Sequence, residues 1–199
     1  MIPRHLLIGV AVMALVAAAM GIYVLRMRRS MQQSASAAED TRPLAPPVSG
    51  PTEKVTLWIA DDDAGVLRPQ GADIPLPSGR QERAQELLQA LLGIYLGKAS
   101  PHALPSGADV RDVYLVDPGL AVIDTNATFA DAHRSGVLVE ELTVASMIQT
   151  LASNVPGINR VKILVDGKSR ETLAGHADLS NIYDVAAVAR TVEALQQVQ

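Results

Sequence analysis

The sequence predicts an α+β domain, a small mixed β-sheet with two helices packed on one of its faces. Apolar residues alternate in several short stretches and recur at helical spacing in two longer ones. Strand and helix patterns mix without strict alternation, which favours helices on one face of a mixed sheet. An uncharged N-terminal run precedes the domain and predicts a transmembrane helix.

The clearest unit spans residues 135–167 and has the sequence SGVLVEELTVASMIQTLASNVPGINRVKILVDG. Apolar side chains recur at helical spacing over residues 144–155, and the following proline and glycine end the helix. Residues 161–165 then alternate up to a turn at Asp166-Gly167, as in a buried strand. The rest of the domain is predicted to pack around this helix, turn and strand.

The other elements follow in chain order from alternation, helical spacing and turn residues. Prolines confine the second strand to a sheet edge, and a Pro-Gly pair predicts a type II turn between two hairpin strands. Three adjacent aspartates after the first strand predict a solvated turn. The elements are a strand at 55–60, an edge strand at 66–76, a helix at 78–97, a hairpin of strands at 110–116 and 120–124, a loop at 125–134 and a weak helix at 181–199.

Residues 6–25, LLIGVAVMALVAAAMGIYVL, carry no charge and are long enough as a helix to cross a bilayer core of about 30 Å. We expect an uncleaved single-pass anchor over residues 1–29, with its basic flank. The alternative is a cleaved signal peptide, but the small-residue pattern at residues 35–37 lies far beyond the apolar run. Three arginines follow the span and one precedes it, which taken alone favours a cytoplasmic C-terminal part.

Composition separates the anchor from an acidic soluble part. Residues 30–52 are rich in Ser, Ala and Pro and predict a linker with too little apolar content to fold. All 21 acidic but only 13 of the 17 basic residues follow residue 29, a balance of −8 that argues against a nucleic-acid partner. The chain has no cysteine, so disulfides, thiol nucleophiles and cysteine metal sites are excluded.

The soluble part resembles the GerMN domain family of sporulation and spore germination proteins. The resemblance runs from residue 55 to about 180, within a domain bounded at residues 53–180, and is carried by VTLWIAD, LPSGADVRDVYLVDPGLAVIDTN, VEELTVASMIQTLASNVPGINRVKILVDG and GHADLS. It implies a bacterial protein of the cytoplasmic membrane whose domain lies on the extracytoplasmic side. It also implies a fold related to ring-building motifs, which make protein contacts and need no cofactor.

These observations favour a membrane-tethered interaction or scaffold module of the cell envelope that binds a partner or itself. The alternative is a domain that binds an envelope glycan or a small ligand, and a hydrolase is less favoured. Two helices cover only one face of so small a sheet, so the other face is expected to expose apolar side chains. The predicted interaction residues are Trp58, Tyr114, Val116 and Ile123, with Trp58 as the main anchor.

One loop, GHADLS, carries residue types that could do chemistry. His176 and Asp178 could ligate a metal or act as an acid–base pair, and Asp124, Asp166 and His133 could complete such a site. The chain contains no HExxH, GxSxG, SxxK or glycine-rich phosphate motif. We therefore expect the loop residues to organise backbone, and predict no catalytic, metal or cofactor residue and no enzyme.

Overall fold

The computed structural model describes residues 51–116 and 118–197. The predicted membrane anchor, and all of the predicted linker except residues 51 and 52, lie outside these ranges. Within them, no helix combines the length and the apolar character that crossing a membrane requires. The elements are β1 (Thr52–Asp61), β2 (Val66–Pro75), α1 (Arg80–Tyr95), β3 (Val110–Val116), β4 (Leu120–Thr125), α2 (Ala127–Asp131), α3 (Val137–Asn154), β5 (Arg160–Val165), β6 (Tyr183–Asp184) and α4 (Val185–Gln197).

The described strands form two sheets. β1 and β2 make an antiparallel hairpin, and the other four strands make a mixed sheet in the order β3-β4-β5-β6. In that sheet β4 and β5 run parallel, whereas β3 pairs with β4 and β6 with β5 in antiparallel fashion. The α+β class is therefore confirmed, but the prediction of a single sheet was wrong. The outer edge of β1 receives side chains of α1 and α3 instead of another strand.

The long helix α3 lies at the centre of the domain. Its apolar residues include Ile148 and Leu151, which are fully buried, and polar residues such as Thr143 and Thr150 are buried with them. It begins one residue after Gly136, whose N–H is accepted by the Glu140 carboxylate. A central helix of this kind buries more than one stripe, because the hairpin, α1 and α4 all contact it.

The register of the β3–β4 hairpin separates Ile123 from Tyr114 and Val116, which were predicted to share one exposed face. Tyr114 lies opposite Val122, and Val116 lies opposite Leu120, so the connection has three residues. Because side chains alternate along a strand, a shift of one residue moves every side chain of the partner to the other face. Ile123 therefore lies on the core face, where it is fully buried, and it does not share a face with Tyr114 and Val116.

The connection after β4 is more ordered than its composition indicated. The predicted loop after β4 contains the short helix α2, whose first turn is capped because Asn126 Oδ1 accepts the Phe129 N–H at 2.9 Å. The turn after β5 was predicted correctly. Asp166 and Gly167 both have positive φ, 49° and 70°, as a two-residue hairpin turn requires.

The C-terminal helix α4 confirms the helix predicted near the chain end. Val192 is its buried contact with the core, and α4 lies against α3 and β2. Near its end, Gln196 Nε2 donates to the Leu67 carbonyl at 2.7 Å. The helices α3 and α4 form the two walls of a groove, which we call the α3–α4 groove.

Candidate functional site

The structure brings together only two of the four predicted interaction residues. Tyr114 and Val116 are 45% and 47% exposed and lie side by side on β3, an outer strand of the sheet. Trp58 belongs to the other sheet, where it is half-buried and its Nε1 donates to Ser153 Oγ at 2.8 Å. Ile123 is buried in the core, so its assignment to an exposed face was wrong.

Tyr114 and Val116 belong to a continuous apolar surface. On the same face of the sheet, their partners Val122 and Leu120 are half-buried, and we call these four residues the β3 patch. At the beginning of β3, Gln85 and Gln89 of α1 donate to the carbonyls of Arg111 and Val110. Tyr114 and Val116 lie further along the strand and expose nearly half of their surface to solvent.

The GHADLS loop is organised by a glutamate in the first turn of α3. Glu140 of α3 is fully buried, and its Oε2 accepts the backbone N–H groups of Ala174, His176 and Ala177 at 2.9–3.0 Å. Its Oε1 accepts the Gly136 N–H and lies 2.9 Å from His176 Nδ1. Burial raises the pKa of Glu140, but these hydrogen bonds outweigh it and lower the pKa to about 2.

The predicted pair of His176 and Asp178 does not form. Asp178 accepts from the Ser180 N–H and hydroxyl and from Asn181, which are local bonds that shape a turn. The Ser180 bonds lower the pKa of Asp178. His176 instead faces Glu140, so the loop is tied to α3 and not to its own aspartate.

The contacts of His176 do not have the geometry of a nucleophilic triad. Ser135 Oγ and Glu140 Oε1 both lie near the same ring atom, Nδ1, at 3.4 and 2.9 Å. A serine triad needs the hydroxyl on one ring nitrogen and the carboxylate on the other. This arrangement therefore fixes the ring and does not activate Ser135.

The three residues that could have completed a metal site have other partners. Asp124 accepts the Gly167 N–H, Asp166 pairs with Arg111, and His133 belongs to the buried network described next. In the part of the chain that the structure describes, no group of three or more His, Asp or Glu side chains could hold a metal ion.

A buried polar network joins four segments that are distant in the sequence. His102 Nδ1 lies 2.7 Å from Asp62 Oδ1, and its Nε2 lies 2.7 Å from Thr143 Oγ1. His133 Nε2 reaches the same hydroxyl at 2.8 Å, and Arg134 donates to Asp62 at 2.7 Å. The turn predicted at the three aspartates is present at residues 62–65, but the Asp62 carboxylate is largely covered and belongs to this network.

The network holds the core together and offers no reactive group to a substrate. His102 and Thr143 are fully buried, and Thr143 donates to the Val139 carbonyl of its own helix. Burial lowers the pKa of both His102 and His133, and the Asp62 charge opposes this only in part.

The α3–α4 groove has a volume of about 390 Å³ and lies beside the GHADLS loop. Its apolar walls include Val144, Ala145, Val188 and Leu195, and its rim includes the carboxylates of Glu141 and Asp178. Tyr183 also lines the groove, and its hydroxyl donates to the Asp178 carbonyl at 2.5 Å. Burial first, and then the charges of Asp178 and Glu141, raise the pKa of Tyr183 to about 12.

The family model described as Germane, sporulation and spore germination, matches residues 56–171. This chain belongs to the Germane family. The match covers more than half of the chain and includes the central helix and the β3 patch, and it ends before the GHADLS loop. The resemblance to GerMN domains is thereby confirmed.

Three solved structures are similar to this member of the Germane family, and the first of them shares its fold. The tandem GerMN domains of the sporulation protein GerM from Bacillus subtilis are 18% identical, with a TM-score of 0.51, over 67% of this chain and 46% of that one. The first GerMN domain of the same protein is 20% identical, with a TM-score of 0.47, over 64% and 93%. A lipoprotein candidate from Clostridium perfringens is 21% identical, with a TM-score of 0.45, over 71% and 93%. Among curated proteins, no sequence matches the chain.

Proposed function

We propose that this Germane-family chain is a membrane-tethered, non-catalytic module that works outside the cytoplasmic membrane and binds protein through the β3 patch. The observation that carries the proposal is the pair Tyr114 and Val116, two large apolar side chains nearly half exposed and adjacent on an outer strand. Their strand partners Val122 and Leu120 extend the apolar surface beneath them. Apolar surface of this kind is stabilised when a partner covers it.

Three features support the proposal. The family is one of sporulation and spore germination proteins, and the uncharged run at residues 6–25 predicts an anchor. The domain is acidic, which disfavours nucleic acid as the partner. The candidate acid–base pair of His176 and Asp178 does not form, and His176 instead faces Glu140.

The test places a photo-crosslinking amino acid at Tyr114 in the full chain, expressed in bacterial membranes. We expect a discrete cross-linked product, either with a second copy or with one partner, that is lost when Val116 is also changed to threonine. Ile182 is the matched control, because it is 49% exposed but lies outside the β3 patch. Equal cross-linking from positions 114 and 182 would show that the patch is not a specific contact.

The membrane topology is tested separately. Protease added to intact spheroplasts should digest residues 53–199 and leave the predicted anchor behind. Full protection would show that the arginines after the span place the domain in the cytoplasm. Recovery of a mature chain that begins after the span would replace the anchor with a cleaved signal peptide.

A further inference from the structure

The α3–α4 groove is a second concave surface, separate from the β3 patch. Its volume of about 390 Å³ lies in the range of pockets that bind small ligands or anchoring side chains, roughly 300–1,000 Å³. The walls are aliphatic, with Val144 and Ala145 from α3 and Val188 and Leu195 from α4. Of these, Val188, Leu195 and Ala145 keep part of their surface exposed to solvent.

Two exposed carboxylates line the groove, those of Glu141 and Asp178, and Tyr183 lines it with them. Their charges reach the Tyr183 hydroxyl, since both contribute to its raised pKa. Among the described residues that line the groove there is no lysine or arginine, and His176 Nδ1 is hydrogen-bonded to Glu140.

We propose that the α3–α4 groove binds a peptide segment of a partner protein that carries one lysine or arginine beside aliphatic side chains. The aliphatic side chains pack on Val144, Val188 and Leu195, and the cation lies between Glu141 and Asp178. This arrangement matches apolar surface with apolar surface and places the positive charge where the negative potential is concentrated. The groove is partly open to solvent, which suits an extended or helical segment.

The experiment uses the full chain in detergent micelles with 13C-labelled valine and leucine methyl groups. The probe is the peptide acetyl-Ala-Leu-Lys-Leu-Ala-amide, and the matched control peptide has glutamate in place of lysine. We expect saturable shifts of the Val144, Val188 and Leu195 methyl resonances with the lysine peptide only. Added salt should weaken this binding, because the rim carboxylates are exposed.

Two variants locate the cation. Glu141→Gln and Asp178→Asn should each raise the Kd by about two- to fivefold, as expected for exposed ion pairs. Glu193→Gln, an exposed change on α4 that does not line the groove, should leave the Kd unchanged. Equal thermal midpoints of the variants show that the fold is intact.

The proposal is overturned if the lysine peptide gives no saturable shift, if the glutamate peptide binds equally well, or if both rim variants bind like the wild type. Shifts caused equally by n-butylamine would assign the site to a small amine instead of a peptide. Substituting Tyr114 and Val116 should leave peptide binding unchanged, so the result is independent of the function proposed for the β3 patch.

Discussion

The side-chain amide of Asn154 bonds both backbone groups of Thr56, as a neighbouring strand would. Its Oδ1 accepts the Thr56 N–H at 2.9 Å, and its Nδ2 donates to the Thr56 carbonyl at 2.7 Å. Thr150 and the Tyr95 hydroxyl accept the N–H groups of Trp58 and Ala60 in the same way. The outer edge of β1 is thus closed by helix side chains, which removes a template for unwanted strand pairing.

Asn154→Ala should lower the free energy of unfolding by about 2 kcal/mol, because it leaves two backbone groups on the outer edge of β1 without side-chain partners. Chemical denaturation of the full chain measures the loss. Ser153→Ala is the control, since it removes only the bond to the Trp58 indole, which water can replace. That variant should lose about 0.5 kcal/mol or less. Equal losses for the two variants would show that edge closure is not what Asn154 contributes.

Gln149→Met should raise the free energy of unfolding by about 1 kcal/mol. The buried Gln149 Nε2 has no hydrogen-bond partner among the described residues, and an apolar side chain of similar shape removes that desolvation cost. Gln89→Met is the matched control with the opposite expected sign, because Gln89 Nε2 donates to Asp109 Oδ1 and to the Val110 carbonyl. This substitution should lower the free energy of unfolding by about 1 kcal/mol. Thermal unfolding of both variants compares the signs, and a loss of stability in Gln149→Met contradicts the assignment.

Glu140 should make the free energy of unfolding depend on pH in the acidic range. Its folded pKa of about 2 lies below its ordinary value of 4.5, so the unfolded chain binds the proton first as the pH falls. The stabilisation is complete above pH 4.5 and is lost as the pH falls from there towards 2. Glu140→Gln should be about 2–4 kcal/mol less stable at pH 7 and should show a flatter profile in this window. A profile as steep as that of the wild type would point to other carboxyl groups.

The two buried histidines should act in a different pH window. Burial lowers the pKa of His102 and His133 below the ordinary 6.5. The unfolded chain therefore takes up protons that the folded one does not, and stability falls as the pH drops below about 6.5. His102→Asn retains a donor towards Asp62 but cannot titrate, so its stability should change less between pH 7 and pH 5. Urea midpoints at both pH values test this. If the midpoint changes between pH 7 and pH 5 as much in the variant as in the wild type, His102 is excluded as the source of the pH dependence.

The sequence predicted those elements whose signals are local. The stripe of α3, the alternation of β5 and the Asp166-Gly167 turn all depend on residues within one turn or strand. The register of the β3–β4 hairpin depends instead on whether its connection holds two or three residues. A Pro-Gly pair fits both lengths, and β4 is apolar enough on both faces to accept either. Ile123 was misplaced for this reason.

The polar groups that organise the interior could not be predicted in the same way. Glu140 meets amides 34 to 37 residues further along the chain, and His102 meets partners 40 and 41 residues away. A glutamate near a helix start is ordinarily an exposed residue that interacts with the helix dipole. Only the packing of the loop over α3 turns it into a buried acceptor, and no local pattern records that packing.

The bonds of Glu140 also determine how the GHADLS loop opens. The amides of Ala174, His176 and Ala177 end on one oxygen atom, so a single excursion of that carboxylate releases all three. Amide hydrogen exchange in this segment therefore follows one opening event, and the three rates rise and fall together. In exchange terms these three amides are an extension of α3, protected for as long as the first turn of that helix stays closed.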